Sequence, residues 1–336
     1  MSDPHDLLLT IRDLRTWFPI RRGVISRTVG HVKAVDGVNL DVRRGETLGL
    51  VGESGCGKTT LGRTILGLER ATAGNVYYQE YDLLALSESE RRPLRRKLQM
   101  IFQDPYSSLN PRMTVLDIVT EGLVAHKLLD GKRQDVAVRL LAEVGLDADA
   151  LYRYPHEFSG GQRQRISVAR AIALRPEFIV CDEAVSALDV SVQAQVINLL
   201  MDLSEKYRLS YLFISHDLSV VRHISQRVAV MYVGQVVELG PTAAVIDQPL
   251  HPYTQALISA VPVPGEDKRK RIVLQGDIPS PANPPPGCRF HTRCPFAMDR
   301  CRVEPPAGHV VGDRIVHCHL HEPKSAAAAP TAALAP

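Results

Sequence analysis

Residues 52–59, Gly52-Glu53-Ser54-Gly55-Cys56-Gly57-Lys58-Thr59, constrain this chain more than any other stretch. The spacing G-x-x-x-x-G-K-T is that of a phosphate-binding loop. Its glycines let the backbone curl until successive N–H groups face an anion. Lys58 adds a point charge for the outer phosphates, and the Thr59 hydroxyl is placed to ligate Mg²⁺. Thr47-Leu48-Gly49-Leu50-Val51 before the loop reads as a buried strand. Thr60-Leu61-Gly62-Arg63-Thr64-Ile65-Leu66 opens a helix whose N-terminus faces the phosphates. Strand, loop and helix in that order predict a nucleotide-binding α/β core.

The rest of the composition narrows the field. A chain of 336 residues has room for a large domain and a smaller one. A net charge of +3 gives little support for nucleic acid as the main ligand. No stretch approaches 18 consecutive apolar residues, and the first residues lack the basic and apolar regions of a signal peptide. The expectation is a cytosolic protein that meets a membrane only through a partner.

Along the chain, residues 7–45 alternate as short antiparallel strands, with Trp17-Phe18 between them. A flat aromatic there is either an adenine-stacking face or a packed strand residue. Leu98-Gln99-Met100-Ile101-Phe102 predicts a strand that ends at Gln103, an amide within reach of a Mg²⁺ or a water. Residues 114–152 are helical in pattern. Ser159-Gly160-Gly161-Gln162 then opens a long helix, a second N-terminus suited to an anion. A plain serine cap accounts for Ser159 but leaves the paired glycines and Gln162 unexplained.

Phe178-Ile179-Val180-Cys181 is an apolar run that closes on Asp182-Glu183. Asp182 is placed to hold Mg²⁺, and Glu183 to polarise an attacking water. Ser186-Ala187-Leu188-Asp189 follows, its acid starting another helix. Residues 210–214 predict a buried strand ending at Ser215-His216-Asp217. That edge of a parallel strand is where ligands bind in open α/β sheets, although a capped structural histidine is the plainer reading. Residues 228–239 read as a hairpin turning at Gly234, and the five prolines of 278–287 as a stiff linker. Lys268-Arg269-Lys270-Arg271 reads as a solvated basic run.

Of six cysteines, Cys56 and Cys181 read as small side chains in tight sites. Cys288, Cys294, Cys301 and Cys318 fall within 31 residues, at spacing C-x5-C-x6-C-x16-C. In a reducing cytosol such a cluster favours metal over disulfides. Four thiolates suit Zn²⁺ or an iron–sulfur cluster, with free thiols and mixed sets using His291, His317, His319 or His321 as the alternatives.

Set in order, the phosphate loop, Gln103, the 159–162 segment, Asp182-Glu183, the 186–189 segment and His216 resemble the ATP-binding subunit of an ABC transporter. The resemblance covers about residues 7–240 and is specific, because other phosphate-loop enzymes lack the Ser-Gly-Gly-Gln segment. Gly52 to Thr60, the run from Gln103 to Pro111 and His251-Pro252-Tyr253-Thr254 are similar to the oligopeptide/dipeptide/nickel importer group. That extends the match to about residue 320.

This resemblance implies a head-to-tail pair of such ATPases, identical or homologous, in which ATP on one phosphate loop is capped by the 159–162 segment of the other. It implies that Glu183 is the catalytic base, that His216 contacts the γ-phosphate, and that Gln103 couples the site to a membrane partner. Phe18 aligns with the adenine-stacking aromatic. ATP is then held by Phe18, Gly52, Ser54, Gly55, Cys56, Gly57, Lys58, Thr59, Thr60, Gln103, Ser159, Gly160, Gly161, Gln162 and Asp189. Mg²⁺ falls to Thr59, Gln103 and Asp182. The implied partners are two transmembrane permease subunits and an extracytoplasmic substrate-binding protein, with no nucleic acid. The implied place is the cytoplasmic face of the cell membrane.

Some relatives carry a [4Fe–4S] cluster in a segment like Cys294-Pro295-Phe296-Ala297-Met298. The sequence departs from the family's usual wording at Phe158, Ala184 and Gln226, none of them a catalytic group. The expected architecture is an α/β phosphate-loop NTPase core with an antiparallel β subdomain and a helical subdomain at about 90–165. Those occupy residues 1–250; a cysteine-bearing domain at 251–323 and a disordered tail at 324–336 complete it. A soluble repair or translation ATPase is disfavoured by the lack of a coiled-coil insert or a second cassette. A binding module that holds ATP without hydrolysing it is disfavoured by Glu183 and His216.

Overall fold

The computed structural model describes residues 6–23, 26–260 and 272–322; the basic run at 268–271 and the tail at 324–336 lie outside the described residues. The main sheet is built around strands that are apolar on both faces. β3 (Thr47–Val51), β7 (Phe178–Asp182) and β8 (Ser210–Ile214) are buried throughout. Such runs suit parallel strands covered on both sides. β3 pairs in parallel with β8 and with β9 (Arg227–Tyr232), while β7 lies between β8 and β6 (Leu98–Ile101), again in parallel.

Successive side chains along each strand enter two different cores. Phe178 and Val180 of β7 pack with Leu48, Leu50, Leu212 and Leu61 beneath an antiparallel sheet. Ile179 and Cys181 pack on the opposite face with Tyr211, Phe213, Ile166 and Leu200. Cys181 is therefore a small core residue, as its setting suggested.

The antiparallel sheet runs in the order β2-β1-β4-β5. Short strands were expected at its start; instead β1 (Leu7–Arg22) and β2 (Arg27–Arg43) form one long hairpin. Its register shifts at several points, including between Ile11 and Leu14. Each such bulge breaks the two-residue alternation that marks a strand in the sequence. β4 (Ala73–Tyr78) and β5 (Tyr81–Asp82) complete the sheet.

The helical region resolves into separate pieces. α4 (Val115–Ala125) and α5 (Arg133–Glu143) are followed by a 3₁₀ turn over Ala148–Tyr152. α6 (Gly160–Ile172) packs on α4 and returns the chain to the main sheet. Earlier in the chain come α1 (Lys58–Ile65), α2 (Glu88–Arg95) and α3 (Pro105–Ser108).

Beyond residue 250 the chain stays joined to the core. β10 (Gln235–Pro241) pairs with β9, and β12 (Arg314–His317) pairs with β10 and with β11 (Gly308–Val311). Tyr253 and Phe290 belong to the main core. Glu238 of β10, fully buried, accepts the N–H groups of Leu250 (3.0 Å) and His251 (2.9 Å). The proline-rich stretch has neither helix nor strand, yet it is tied down: the Lys33 N–H donates to Pro281 O at 2.9 Å.

Candidate nucleotide site

The phosphate loop joins β3 to α1 and curls through left-handed backbone at Gly55 and Gly57. At Gly57 the need for glycine is also spatial, since a Cβ there would sit 2.0 Å from the Ala34 carbonyl oxygen. Lys58 is buried and donates from Nζ to the carbonyls of Gly52 (2.8 Å) and Glu53 (3.1 Å). Its charge is thus held along the inner edge of the loop. Cys56 is also buried, which pushes its thiol pKa up and keeps it neutral.

Two acids at the end of β7 face this loop and its neighbours. The Thr59 hydroxyl donates to Asp182 Oδ1 at 2.8 Å. Burial raises the Asp182 pKa, while the Thr59 hydrogen bond and the Arg63 charge pull it back. Glu183 follows in left-handed backbone, φ 45°, with its N–H on the Ile214 carbonyl at 3.0 Å. That conformation is uncommon outside glycine and marks a place where the surroundings over-determine the backbone. Glu183 Oε2 accepts from Gln103 Nε2 at 2.9 Å and lies 3.5 Å from His216 Nδ1. Three residues spread over the ends of β6, β7 and β8 therefore meet at one carboxylate.

The 159–162 segment has local roles of its own. Ser159 and Gln162 form a reciprocal capping box: the Ser159 N–H donates to Gln162 Oε1 (3.0 Å) and the Gln162 N–H to Ser159 Oγ (3.3 Å). Gly161 lies against α7 (Val190–Tyr207), where a Cβ would meet Val192 Cγ1 at 2.3 Å. Capping and close packing together account for Gln162 and Gly161, which a plain serine cap had left open. Asp189 caps α7, accepting from the Val192 N–H at 3.0 Å. Among the described residues, the hydrogen bonds of this segment stay within its own helix and do not reach Lys58 or Glu183.

At the other end, Trp17 is fixed by its indole N–H on Asp36 (3.1 Å) with the Lys33 ammonium over its ring. Phe18 beside it is 37% exposed and offers a free aromatic face. The three departures from the usual wording are all accommodated. Phe158 is buried under the Arg153 guanidinium, Ala184 is buried in the core, and Gln226 accepts the Thr47 N–H at the start of β3.

Cys288, Cys294, Cys301 and Cys318 all line one small cavity of about 10 Å³, together with Phe290 and His251. Among the described residues, no three ligand-type side chains stand at metal-holding positions, so loading would require these side chains to rearrange. Burial is the main cause that raises the thiol pKa values here, Cys288 to about 11 and Cys294 and Cys318 in the same direction. His251 is fully buried, which depresses its pKa to about 3; its neutral Nδ1 accepts the Tyr253 N–H at 3.0 Å.

The sequence pattern did not reveal that this cysteine segment touches the nucleotide site. Arg293 makes a bidentate pair with Glu53 of the phosphate loop, at 2.8 and 3.1 Å. The Tyr253 hydroxyl accepts the Glu53 N–H at 2.9 Å. Arg289 pairs with Asp36 and donates to the Val233 carbonyl. The partners are far apart in the chain, and no local spacing announces them.

The description "ABC transporter" matches residues 35–186, from β2 through the phosphate loop to just past Glu183. A dimeric ATP-binding cassette solved in a post-hydrolysis state with ADP and Pi superposes with a TM-score of 0.61, at 27% identity. The likeness covers 70% of this chain and 98% of that one. Fold and site together are those of an ABC-type ATPase.

The C-terminal third narrows this further, for residues 237–301 match "Oligopeptide/dipeptide transporter, C-terminal region". The chain is 54% identical to the oligopeptide transport ATP-binding protein AppF of Bacillus subtilis, covering 94% of this chain and 98% of that one. It is 53% identical to OppF of Salmonella typhimurium, over 89% and 92%. To the di/tripeptide transport protein DppF of Pseudomonas aeruginosa it is 46% identical, over 94% and 98%. The chain belongs to the family of oligopeptide/dipeptide transporter ATP-binding proteins.

Proposed function

We propose that this chain is the ATP-hydrolysing subunit of an importer for di- and oligopeptides, working at the cytoplasmic face of the cell membrane. The observation that carries the chemistry is the convergence of Gln103 and His216 on Glu183, next to the Thr59–Asp182 pair. Glu183 takes the proton of a water as its oxygen bonds to the γ-phosphorus and the bond to the bridging oxygen breaks. Gln103 and His216 fix the carboxylate that does so, and His216 is positioned to contact the γ-phosphate.

The Thr59 hydroxyl and Asp182 carboxylate are hard oxygen donors within 2.8 Å of each other, a set that fits Mg²⁺, with Gln103 as the third candidate. When bound, the ion neutralises charge on the β- and γ-phosphates. Phe18 supplies the stacking face for the base. Asp189 and the capped helix at Ser159, Gly160, Gly161 and Gln162 belong to the second nucleotide site of a head-to-tail pair, which explains a second anion-suited N-terminus in one chain.

The peptide cargo is supported by relatives named for oligopeptide and di/tripeptide transport. The partners proposed are a second ABC ATPase, identical or homologous, two transmembrane permease subunits and an extracytoplasmic substrate-binding protein. Among the described residues no helix is long and apolar enough to cross a membrane, and the channel is proposed to lie in the permease subunits.

The four clustered cysteines are proposed to hold a [4Fe–4S] cluster. Four sulfur donors lining one cavity are the ligand set such a cluster takes. The small size of that cavity suits a single zinc ion as the second reading. Iron and sulfide near four each per chain after anaerobic purification is the expected result; stoichiometric zinc in their place would refute the cluster. For the transport reading, uptake of labelled peptides, nickel and oligosaccharides is compared between wild type and Glu183→Gln. Loss of peptide uptake alone is expected, whereas loss of another solute's uptake with peptide uptake intact would remove the peptide cargo and leave the motor.

A further inference from the structure

The segment between the first two clustered cysteines is held at both ends of the nucleotide site. Arg289 reaches Asp36, which also fixes Trp17 beside Phe18. Arg293 reaches Glu53 in the phosphate loop through two parallel hydrogen bonds, and also donates to the Tyr232 hydroxyl at 3.4 Å. Both guanidinium side chains are only 8% exposed, so neither is a loose surface contact. Phe290 between them packs edge-on to Tyr232, 5.3 Å between ring centres, and near Tyr253, whose hydroxyl holds the Glu53 N–H.

Glu53 poses an electrostatic problem. It places a carboxylate within a loop built to bind phosphates, and like charges at short range repel. Arg293 is the one cation hydrogen-bonded to that carboxylate among the described residues. A bidentate guanidinium both neutralises the charge and fixes its direction. Arg293 precedes Cys294 directly and follows Cys288 by five positions, so the two thiols frame the segment that delivers it.

We propose that Arg293 is a positioning residue for the phosphate loop, and that through it the occupancy of the four-cysteine centre is linked to ATP affinity. The second half rests on the reading that these cysteines hold a metal centre. Ligation of both Cys288 and Cys294 closes the segment into a loop and holds Arg293 on Glu53. With the ligands released, the segment keeps its packing through Phe290 but loses that closure, and Arg293 is held on Glu53 less tightly. Linkage is reciprocal: what strengthens ATP binding also retains the metal, by the same factor.

The test measures the ATP dissociation constant of the purified full-length chain by calorimetry, with iron and zinc content determined on every sample. Arg293→Ala is expected to weaken ATP binding by about fivefold or more, the lower end of common coupling factors. Glu53→Gln removes the charge that needs compensating, so Glu53→Gln/Arg293→Ala is expected to return to within about twofold of wild type. A support role for Arg293 that was only structural would not be rescued in this way. Arg293→Ala affinity equal to wild type, or a double variant as weak as Arg293→Ala, overturns the positioning role. Should Arg293→Ala fail to fold, Arg293→Lys, which cannot make the bidentate pair, is compared with wild type, and Glu53→Gln/Arg293→Lys with Glu53→Gln. Weaker binding in the first comparison and equal binding in the second is expected, and equal affinities in both overturn the positioning role.

For the linkage, stripping the metal from wild type with a chelator is expected to weaken ATP binding, and stripping Glu53→Gln to leave it unchanged. ATP is also expected to slow metal release to a chromogenic chelator in wild type and not in Arg293→Ala. An equal effect of stripping in wild type and Glu53→Gln overturns the linkage. A chain purified with neither iron nor zinc overturns it together with the metal-centre reading, while the Arg293 affinities still decide the positioning role.

Discussion

Two adjacent glycines open α6, and the structure assigns them different consequences. A Cβ on Gly161 would lie 2.3 Å from Val192 Cγ1, whereas one on Gly160 would meet Leu188 Cδ2 at 3.6 Å. The second distance is an ordinary carbon–carbon contact; the first is more than about 1 Å inside it. Gly161→Ala must therefore push α6 from α7 or twist Val192 off its rotamer. Overpacking of this kind costs about 1–3 kcal/mol, and the gain from replacing glycine in a helix returns at most about 1 kcal/mol. A net loss of about 1–2 kcal/mol is expected, which for a chain of this size is a fall in melting temperature of about 1–3 °C. Gly160→Ala should stay within about 0.5 kcal/mol of wild type. Calorimetric melts of the purified chain give both values, and Val192→Ala provides the decisive comparison. Removing two methyl groups opposite Gly161 should cancel most of the penalty, so the two substitutions should couple by about 1 kcal/mol. Strict additivity, or a Gly161→Ala chain as stable as wild type, would show that the space at Gly161 is not what requires a glycine there.

Three further outcomes follow from the site. Glu183→Gln should lower phosphate release by about 10²–10⁴-fold while ATP still binds, and a rate within tenfold of wild type would deny Glu183 the role of base. Asp182→Asn should abolish Mg²⁺-dependent hydrolysis yet raise the melting temperature of the nucleotide-free chain at pH 7. The sign follows from the raised Asp182 pKa: between the unfolded value near 3.8 and the folded one, the folded chain keeps a proton that the unfolded chain has lost. Stability therefore declines as pH rises through that window and stays lower above it. The advantage of Asp182→Asn should shrink toward pH 4, and an advantage independent of pH would contradict burial as the cause. Arg289→Ala removes the hydrogen-bonded cation from Asp36, which is only 13% exposed and keeps the Trp17 indole N–H and, at 4.0 Å, Arg15; it should cost about 1.5–3 kcal/mol in thermal or denaturant unfolding. A loss below 1 kcal/mol would mean that water replaces the guanidinium without penalty.

The strands around the site were legible because their burial is two-sided. Phe178 to Cys181 and Tyr211 to Ile214 are apolar at every position, a pattern that few other elements of this length produce. The long hairpin was not, and the reason is local. Asp13 adopts a left-handed conformation at φ 44°, the register slips between Ile11 and Leu14, and Pro19 interrupts the donor series. Pro19 is tolerated because β4 pairs β1 only between Leu9 and Arg15, which leaves the outer part of β1 open on that side. One continuous strand of 16 residues therefore reads as several short ones.

The site divides along the same line between near and distant partners. Gly57, Lys58 and Thr59 are legible because a phosphate loop draws its donors from consecutive backbone positions, and Ser159 and Gln162 because a cap acts across three residues. Asp182, Glu183 and His216 are legible for a different reason: each ends a recognisable strand, and parallel strands end on one edge of a sheet. Arg293 has neither kind of signal. It sits in a segment with no helix or strand, 240 residues from Glu53, and the pairing of β12 with β10, the Lys33–Pro281 bond and the burial of Phe290 bring the cysteine segment back over the loop. What the sequence does carry is the anomaly itself. A glutamate in the second position of a phosphate loop adds a negative charge close to where phosphates bind, and a cation brought to it from elsewhere in the chain offsets that charge. The buried guanidinium of Arg293 is that cation, which is why the cysteine segment and the nucleotide site are better understood as one unit than as two neighbouring ones.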